Sequence, residues 1–193
     1  MPEFKNVTKK YGENTVLENF SMITEKNSPT VIMGESGKGK TTLLRIAAGL
    51  EKADSGRFDA EGEKLAYMFQ EPRLIPQKTA LENLRAVLPR SHFALAEKYL
   101  SSVGLDVKTD GKKYPSELSG GMRQRVAFAR FLAYAEANNA TLLLLDEPFS
   151  SLDEGTSEKM LMLLKEFSKG KTLIVVSHDE TDAQALGARV IKL

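Results

Sequence analysis

A strand-length apolar run, Thr30-Val31-Ile32-Met33, leads straight into Gly34-Glu35-Ser36-Gly37-Lys38-Gly39-Lys40-Thr41. A segment with Leu43, Leu44, Ala47 and Ala48 at helical spacing follows, so a helix is expected over about Lys40 to Gly49. The octet fits G-x-x-x-x-G-K-[ST], and a strand before it with a helix after it is the setting that pattern needs. Glycines permit backbone angles that turn successive N–H groups inward, and the helix start adds its positive end. Lys40 can reach the outer phosphates of a nucleotide, and the Thr41 hydroxyl can ligate Mg²⁺. Gly34, Glu35, Ser36, Gly37, Lys38, Gly39, Lys40, Thr41 and the adjoining Thr42 are the candidate nucleotide-binding residues. The bland alternative is a glycine-rich turn between a strand and a helix; residue type, spacing and context together argue against it.

Around this unit the pattern alternates. Phe4 to Val7 and Val16 to Thr24 read as strands, with turns at Gly12-Glu13-Asn14 and Lys26-Asn27-Ser28. Leu65 to Phe69 is a further strand. From about Glu71 to Asn139 the pattern turns mostly helical: Ala94, Leu95, Lys98 and Tyr99 share an amphipathic stretch, and Gly104 or Gly111 would end helices. Met122, Val126, Ala129 and Ala133 recur at helical spacing below a capping Ser119. Leu142 to Leu145 reads as a buried parallel strand. A helix over about Asp153 to Lys169, a strand from Thr172 to Ser177, a short helix and a last strand from Arg189 to Leu193 complete the chain. Strands alternating with helices at both ends imply an α/β fold with a mostly parallel sheet and helices on its faces. The middle helices read as an insertion.

Bulk properties narrow the classes. A chain of 193 residues with 41% hydrophobic content can bury one good-sized core. Twenty-seven basic against 26 acidic residues give a net charge of +1, so no electrostatic reason to expect nucleic acid. The absence of cysteine excludes disulfides and thiolate metal sites and fits a reducing compartment. Met1-Pro2-Glu3-Phe4-Lys5 lacks the apolar core of a secretion signal. No apolar run approaches the ~20 residues needed to span a bilayer. A soluble protein is expected, with any membrane role exerted through a partner.

Two further segments carry chemistry. Leu142-Leu143-Leu144-Leu145-Asp146-Glu147 sets two carboxylates at the C-terminal end of a buried strand, the edge at which open α/β sheets bind ligands. Asp146 suits a contact to Mg²⁺, direct or through water. Glu147 points to the other side of the chain and can polarise a water attacking a terminal phosphate. Two exposed acids capping a strand, stopped by Pro148, would be the plain reading. The other segment is Leu118-Ser119-Gly120-Gly121-Met122. Two glycines at a helix start cost stability, roughly 1 kcal/mol each against alanine, and remove side chains where a ligand could approach the backbone. Ser119 adds a hydroxyl, and Arg123, Arg125 and Arg130 follow. An N-capped helix with a solvated basic face is the alternative. One nucleotide in one site rarely needs two phosphate cradles, so the pair reads as two half-sites that meet across a dimer.

Leu118-Ser119-Gly120-Gly121-Met122-Arg123-Gln124-Arg125 resembles the signature motif of ABC-type ATPases, and five further motifs occur in that family's order. Tyr11 resembles the aromatic A-loop residue that stacks on adenine. Gln70, in Phe69-Gln70-Glu71-Pro72-Arg73-Leu74, resembles the Q-loop glutamine. Asp146-Glu147 resembles Walker B with its catalytic glutamate, Ser150-Ser151-Leu152-Asp153 the D-loop, and His178 the switch histidine. Taken singly, Tyr11 could be a strand-end aromatic, Gln70 a turn residue, Asp153 a helix N-cap and His178 a sheet-edge residue. His92 has no motif around it and is assigned no function.

The resemblance implies a P-loop NTPase (RecA-like) fold with an N-terminal antiparallel β subdomain and an inserted helical subdomain. It divides one domain, 1–193, into a nucleotide-binding core (1–70 and 140–193) and a helical signature subdomain (71–139). It implies ATP and Mg²⁺ as ligands, with Thr41, Gln70 and Asp146 at the metal and Glu147, His178, Gln70 and Lys40 in catalysis. It implies a head-to-tail dimer, a homodimer or a pair of ABC subunits, in which Ser119, Gly120 and Gly121 of one copy cover nucleotide on the other. Asp153 would couple the two sites. Integral membrane permease subunits would dock near Gln70 to Gln77 and the helices after Thr79, and a solute-binding protein would complete the system. The placement implied is cytoplasmic, peripheral on the inner face of the cell membrane. The wording of the Q-loop and Met122 in the signature are most like importers of nitrate, sulfonates or taurine. The segment from Gly49 to Gln70 is shorter than usual, so a hairpin of the sheet near the nucleotide is expected to be lost in whole or part. With the chain stopping soon after His178, no C-terminal regulatory domain is expected. The competing readings are a soluble ABC-type switch acting on a macromolecule and a small-molecule kinase; the kinase gives no reason for Ser119-Gly120-Gly121.

Overall fold

A computed structural model describes residues 1–193. In chain order it comprises β1 (Glu3–Tyr11), β2 (Asn14–Ile23), β3 (Thr30–Met33), α1 (Lys40–Ala47), β4 (Ser55–Asp59), β5 (Leu65–Met68), α2 (Ala80–Arg85), α3 (Phe93–Ser102), α4 (Gly120–Ala137), β6 (Leu142–Asp146), α5 (Glu154–Phe167), β7 (Thr172–Val176), α6 (Glu180–Leu186) and β8 (Arg189–Lys192). Five strands form a parallel sheet in the order β5-β6-β7-β3-β8, and three form an antiparallel sheet in the order β2-β1-β4. No helix is long and apolar enough to cross a membrane.

The parallel sheet is buried on both faces, which is why its strands are continuous apolar runs. Side chains alternate across a strand, so each strand feeds two cores. Leu143 and Leu145 join Val31, Met33, Leu173 and Val175 in the larger core, under Phe128 and Leu132 of α4 and Leu161 and Leu164 of α5. Leu142 and Leu144 join Ile32, Ile174 and Val176 in the smaller core, with Leu43 and Leu44 of α1 and Phe4, Val7 and Leu17 of the antiparallel sheet. Asp146 continues the even-numbered row of β6. It is therefore directed to the α1 side, where the phosphate loop begins its helix.

Between Gly49 and Leu65, where the sequence reading names no strand and expects a hairpin to be lost in whole or part, β4 runs antiparallel to β1, pairing Phe58 with Phe4 and Ser55 with Thr8. It is an edge strand with an exposed start, so the alternation that marks a half-buried strand is missing. Gly56 is the one residue type that fits there, since its φ is +75° and a Cβ would lie 2.2 Å from the Asn6 carbonyl oxygen. The helical stretch between β5 and β6 is as expected. Thr79 and Glu82 form a capping box at α2, and Gly104 (φ +73°) follows α3.

Candidate functional site

The phosphate loop spans the end of β3 and the start of α1. Gly39 precedes α1 with φ +88°, and a Cβ there would meet the Val16 carbonyl oxygen at 2.6 Å, so only glycine lets the loop press against β2. Glu35, Ser36, Gly37 and Lys38 are exposed, whereas Lys40 is buried and its Nζ donates to the carbonyls of Gly34 (2.7 Å) and Glu35 (2.9 Å). The lysine thus folds back over the loop, its ammonium held at the rim where the backbone turns.

Asp146 meets this loop as the strand parity requires. Its Oδ1 accepts from the Thr41 hydroxyl at 3.2 Å and its Oδ2 from the Tyr67 hydroxyl at 3.5 Å. Burial pushes the Asp146 carboxyl above its ordinary range and the Glu147 charge adds to this, while the Thr41 and Tyr67 hydrogen bonds and Arg45 oppose it. Burial also raises the Tyr67 phenol, with Asp146 adding. A buried carboxylate beside a threonine hydroxyl is a place that a divalent cation stabilises. No three His, Cys, Asp or Glu side chains converge to hold a metal unaided. That sparse donor set suits Mg²⁺, which keeps waters and phosphate oxygens and takes only one or two protein ligands.

Glu147 leaves the strand in a left-handed backbone conformation (φ +44°), its N–H donating to the Val176 carbonyl at 2.9 Å. The turn sends its carboxylate away from Asp146. Its Oε2 accepts from Gln70 Nε2 at 3.1 Å and lies 3.8 Å from His178 Nδ1. Three residues from three separate strand ends are thereby brought together. Ser177 and Asp182 hold the histidine's turn: Ser177 Oγ donates to Asp182 Oδ2 at 2.6 Å and accepts from Asp179 N–H at 3.0 Å. Burial keeps the Asp182 carboxyl above its ordinary range. A cleft of about 660 Å³ opens beside this group, lined by Glu147, Ser150, Leu152, Ser177, His178 and Asp182 among others.

The segment after Gln70 is tied to α4. Arg130 donates to the carbonyls of Pro72 (2.6 Å) and Arg73 (3.0 Å), and Arg73 stacks over Phe69, 3.9 Å from the ring centroid. Between them lies an apolar groove of about 250 Å³ whose walls include Phe69, Val87, Phe131 and Tyr134.

Ser119, Gly120 and Gly121 stand apart from the loop. Ser119 caps α4 by accepting from Met122 N–H at 3.2 Å, and Ser119 and Gly120 are exposed. A Cβ on Gly121 would reach the Ser151 carbonyl oxygen at 3.3 Å, and Gln124 donates to the Pro148 carbonyl at 3.0 Å. The helix start therefore rests on the segment that follows Glu147. Asp153 caps α5, accepting from Thr156 N–H at 3.0 Å. Tyr11 lies at the end of β1, exposed, with its hydroxyl 3.5 Å from Thr42 Oγ1. His92 is exposed on a short turn before α3.

Sequence reasoning did not single out Tyr67, Gln124 or the Ser177–Asp182 pair. Tyr67 lies three residues before Gln70 and Asp182 four after His178, but contact with a carboxylate or a carbonyl leaves no spacing rule to read.

The fold and the site define a phosphate-loop nucleotide-binding domain with an inserted helical layer. The chain belongs to the ABC transporter family: the family model described as "ABC transporter" matches residues 17–150. It is 40% identical over 198 residues to the aliphatic sulfonates import ATP-binding protein SsuB 2 of Xanthomonas axonopodis pv. citri (strain 306), covering 98% of this chain and 66% of that protein. It is 41% identical to SsuB 1 of Paraburkholderia xenovorans (strain LB400), covering 98% and 56%. The chain thus spans less than two thirds of the length of these relatives. A dimeric, post-hydrolysis structure of the ATP-binding cassette MJ0796 bound to ADP and Pi superposes with a TM-score of 0.85 at 35% identity, covering 100% of this chain and 94% of that one. A second dimeric structure of MJ0796 gives a TM-score of 0.88 at 34% identity.

Proposed function

We propose that this chain is an ATP-binding and ATP-hydrolysing subunit that powers import of a small solute, of the sulfonate type, through separate membrane permease subunits. The observation that carries the reading is the divergence of two neighbouring carboxylates, Asp146 toward Thr41 and Glu147 toward Gln70 and His178. Residues 1–70 and 140–193 form the nucleotide-binding core, and 71–139 the helical signature subdomain.

Gly34 to Thr42 cradle the phosphates through backbone N–H groups, and the Lys40 ammonium neutralises the outer ones. Thr41 and Asp146, with Gln70, would hold Mg²⁺. Bound there, the ion would supply positive charge against the phosphates. Glu147 accepts the proton of the attacking water or orients it, and Gln70 and His178 fix the carboxylate and the terminal phosphate. Tyr11 stacks on adenine. Ser119, Gly120 and Gly121 of a partner cassette close over the nucleotide. Nucleotide held from both sides favours the closed dimer, and loss of the terminal phosphate removes part of that attraction. Asp153 couples the two sites. The groove by Phe69 and Phe131 receives the permease, and the subunit works on the cytoplasmic face of the membrane with a solute-binding protein delivering cargo.

Phosphate release measured against protein concentration tests the core of this reading. Specific activity should rise as the chain dimerises and level off; an activity independent of concentration down to the monomer would overturn it. Proteoliposomes holding the chain and its permease, supplied with the solute-binding protein on the opposite side, should move an alkanesulfonate to the cassette side only when ATP is present on that side.

A further inference from the structure

The phosphate loop accounts for the charged end of a nucleotide. On the function proposed above the base end falls at Tyr11, and the surroundings of that ring were not singled out by any motif. Tyr11 is 48% exposed. Its hydroxyl donates to Glu51, in the turn after α1, and stands 3.5 Å from Thr42 Oγ1. Lys9 Nζ lies over one face of the ring, 5.3 Å from the centroid. Lys9 is itself fixed: it donates to the Lys52 carbonyl at 2.9 Å and pairs with Glu51 at 3.5 Å and Asp54 at 3.6 Å. The Lys9 and Glu51 side chains are only 14% and 18% exposed, unlike ordinary surface charges.

We propose that Glu51 and Lys9 are positioning residues for the nucleotide base: they hold the Tyr11 ring with one face covered by Lys9 and the opposite face presented as a stacking platform. The proposal rests on the nucleotide-binding reading above and deepens it. An exposed tyrosine beside the Gly12-Glu13 turn would otherwise exchange rotamers, and ordering it on binding would weaken affinity. The Glu51 carboxylate removes that freedom beforehand, because it holds the hydroxyl and the ammonium at once. Stacking on an aromatic face is worth about 1–3 kcal/mol per base, so an ordered ring is felt in nucleotide affinity. A plain surface ion pair would contribute to stability only, and little.

The test compares ATP with inorganic tripolyphosphate, which has the phosphates and no base. Both are measured on the purified chain by displacement of a fluorescent nucleotide. Glu51→Ala and Tyr11→Phe should each weaken ATP about three- to ten-fold. Lys9→Met should weaken it about two-fold. The Glu51→Ala/Tyr11→Phe double variant should lose no more than the larger single loss, because both break the same tether. Glu51→Gln keeps an acceptor for the hydroxyl and should restore most of the ATP affinity. Tripolyphosphate should bind all of them alike. Additive losses in the double variant, equal weakening of tripolyphosphate, or full ATP affinity in Glu51→Ala would each overturn the proposal. Tyr11→Ala separates the levels: if it weakens ATP while Glu51→Ala does not, the tether fails and the stacking reading stands; if it leaves ATP untouched, both fail.

Discussion

The strand-end side of the site and the α4 end are built in opposite ways. On the strand-end side the chemical groups are held by hydrogen bonds within the copy: Thr41 by Asp146 and Glu147 by Gln70 from distant parts of the chain, Lys40 by the carbonyls of its own loop. At the α4 end, Ser119 holds only its own helix, and Gly120 has open space around it. The difference teaches where each surface gets its order: the first from contacts between distant segments, the second from its own helix and from the segment after Glu147 beneath it. On the function proposed above, that open helix start is where a partner cassette's nucleotide would be met.

The comparison can be broken by variants that strike one side alone. The largest effect is expected from Glu147→Gln, which keeps the hydrogen-bonding shape and removes the base. Turnover should fall by about 10² to 10⁴, with ATP still bound and an ATP-dependent dimer persisting on size-exclusion chromatography. Normal turnover would remove Glu147 from the role of base. Lys40→Ala comes next. It deletes the loop's fixed cation, so ATP affinity by equilibrium titration should drop about a hundred-fold, whatever the state of the α4 end. Gly120→Asp sharpens the contrast. A Cβ there meets no neighbour in its own copy, and the carboxylate would repel phosphate brought by another. Turnover should fall about ten-fold or more, while ATP binding to a dilute, monomeric chain stays as it was. Loss of monomer binding would show that the two sides are not separate. The smallest effect is expected from Gln124→Leu, which leaves the Pro148 carbonyl unpaired under the α4 end. Urea unfolding should show about 1–3 kcal/mol of destabilisation with an unchanged m-value.

What could be read in advance follows the same division. Thr30–Met33 and Leu142–Leu145 were legible because strands buried on both faces must be continuously apolar, and the loop between β3 and α1 was legible because only glycines allow its turns. β4 was not, since an exposed edge strand has no pattern to enforce. Asn83 was not either. It is fully buried, and its amide ties Ile75 N–H (2.7 Å) and the carbonyls of Ile75, Lys78 and Thr79. In a sequence, an asparagine in that setting looks like surface. The same holds for Arg130, whose acceptors are main-chain carbonyls, a partner that every residue carries and none advertises. That Gln70, Glu147 and His178 share a catalytic role was implied by the resemblance; their closeness was a matter of three strand ends meeting, which spacing along the chain does not encode.

The backbone at Glu147 has a consequence of its own. A residue other than glycine, asparagine or aspartate held at φ +44° carries local strain. Replacement by glycine would relax it, so selection for heat tolerance alone would favour discarding the carboxylate. Glu147→Gly would therefore exchange the carboxylate for an easier corner, a gain in ruggedness set against the loss of the machine's working group.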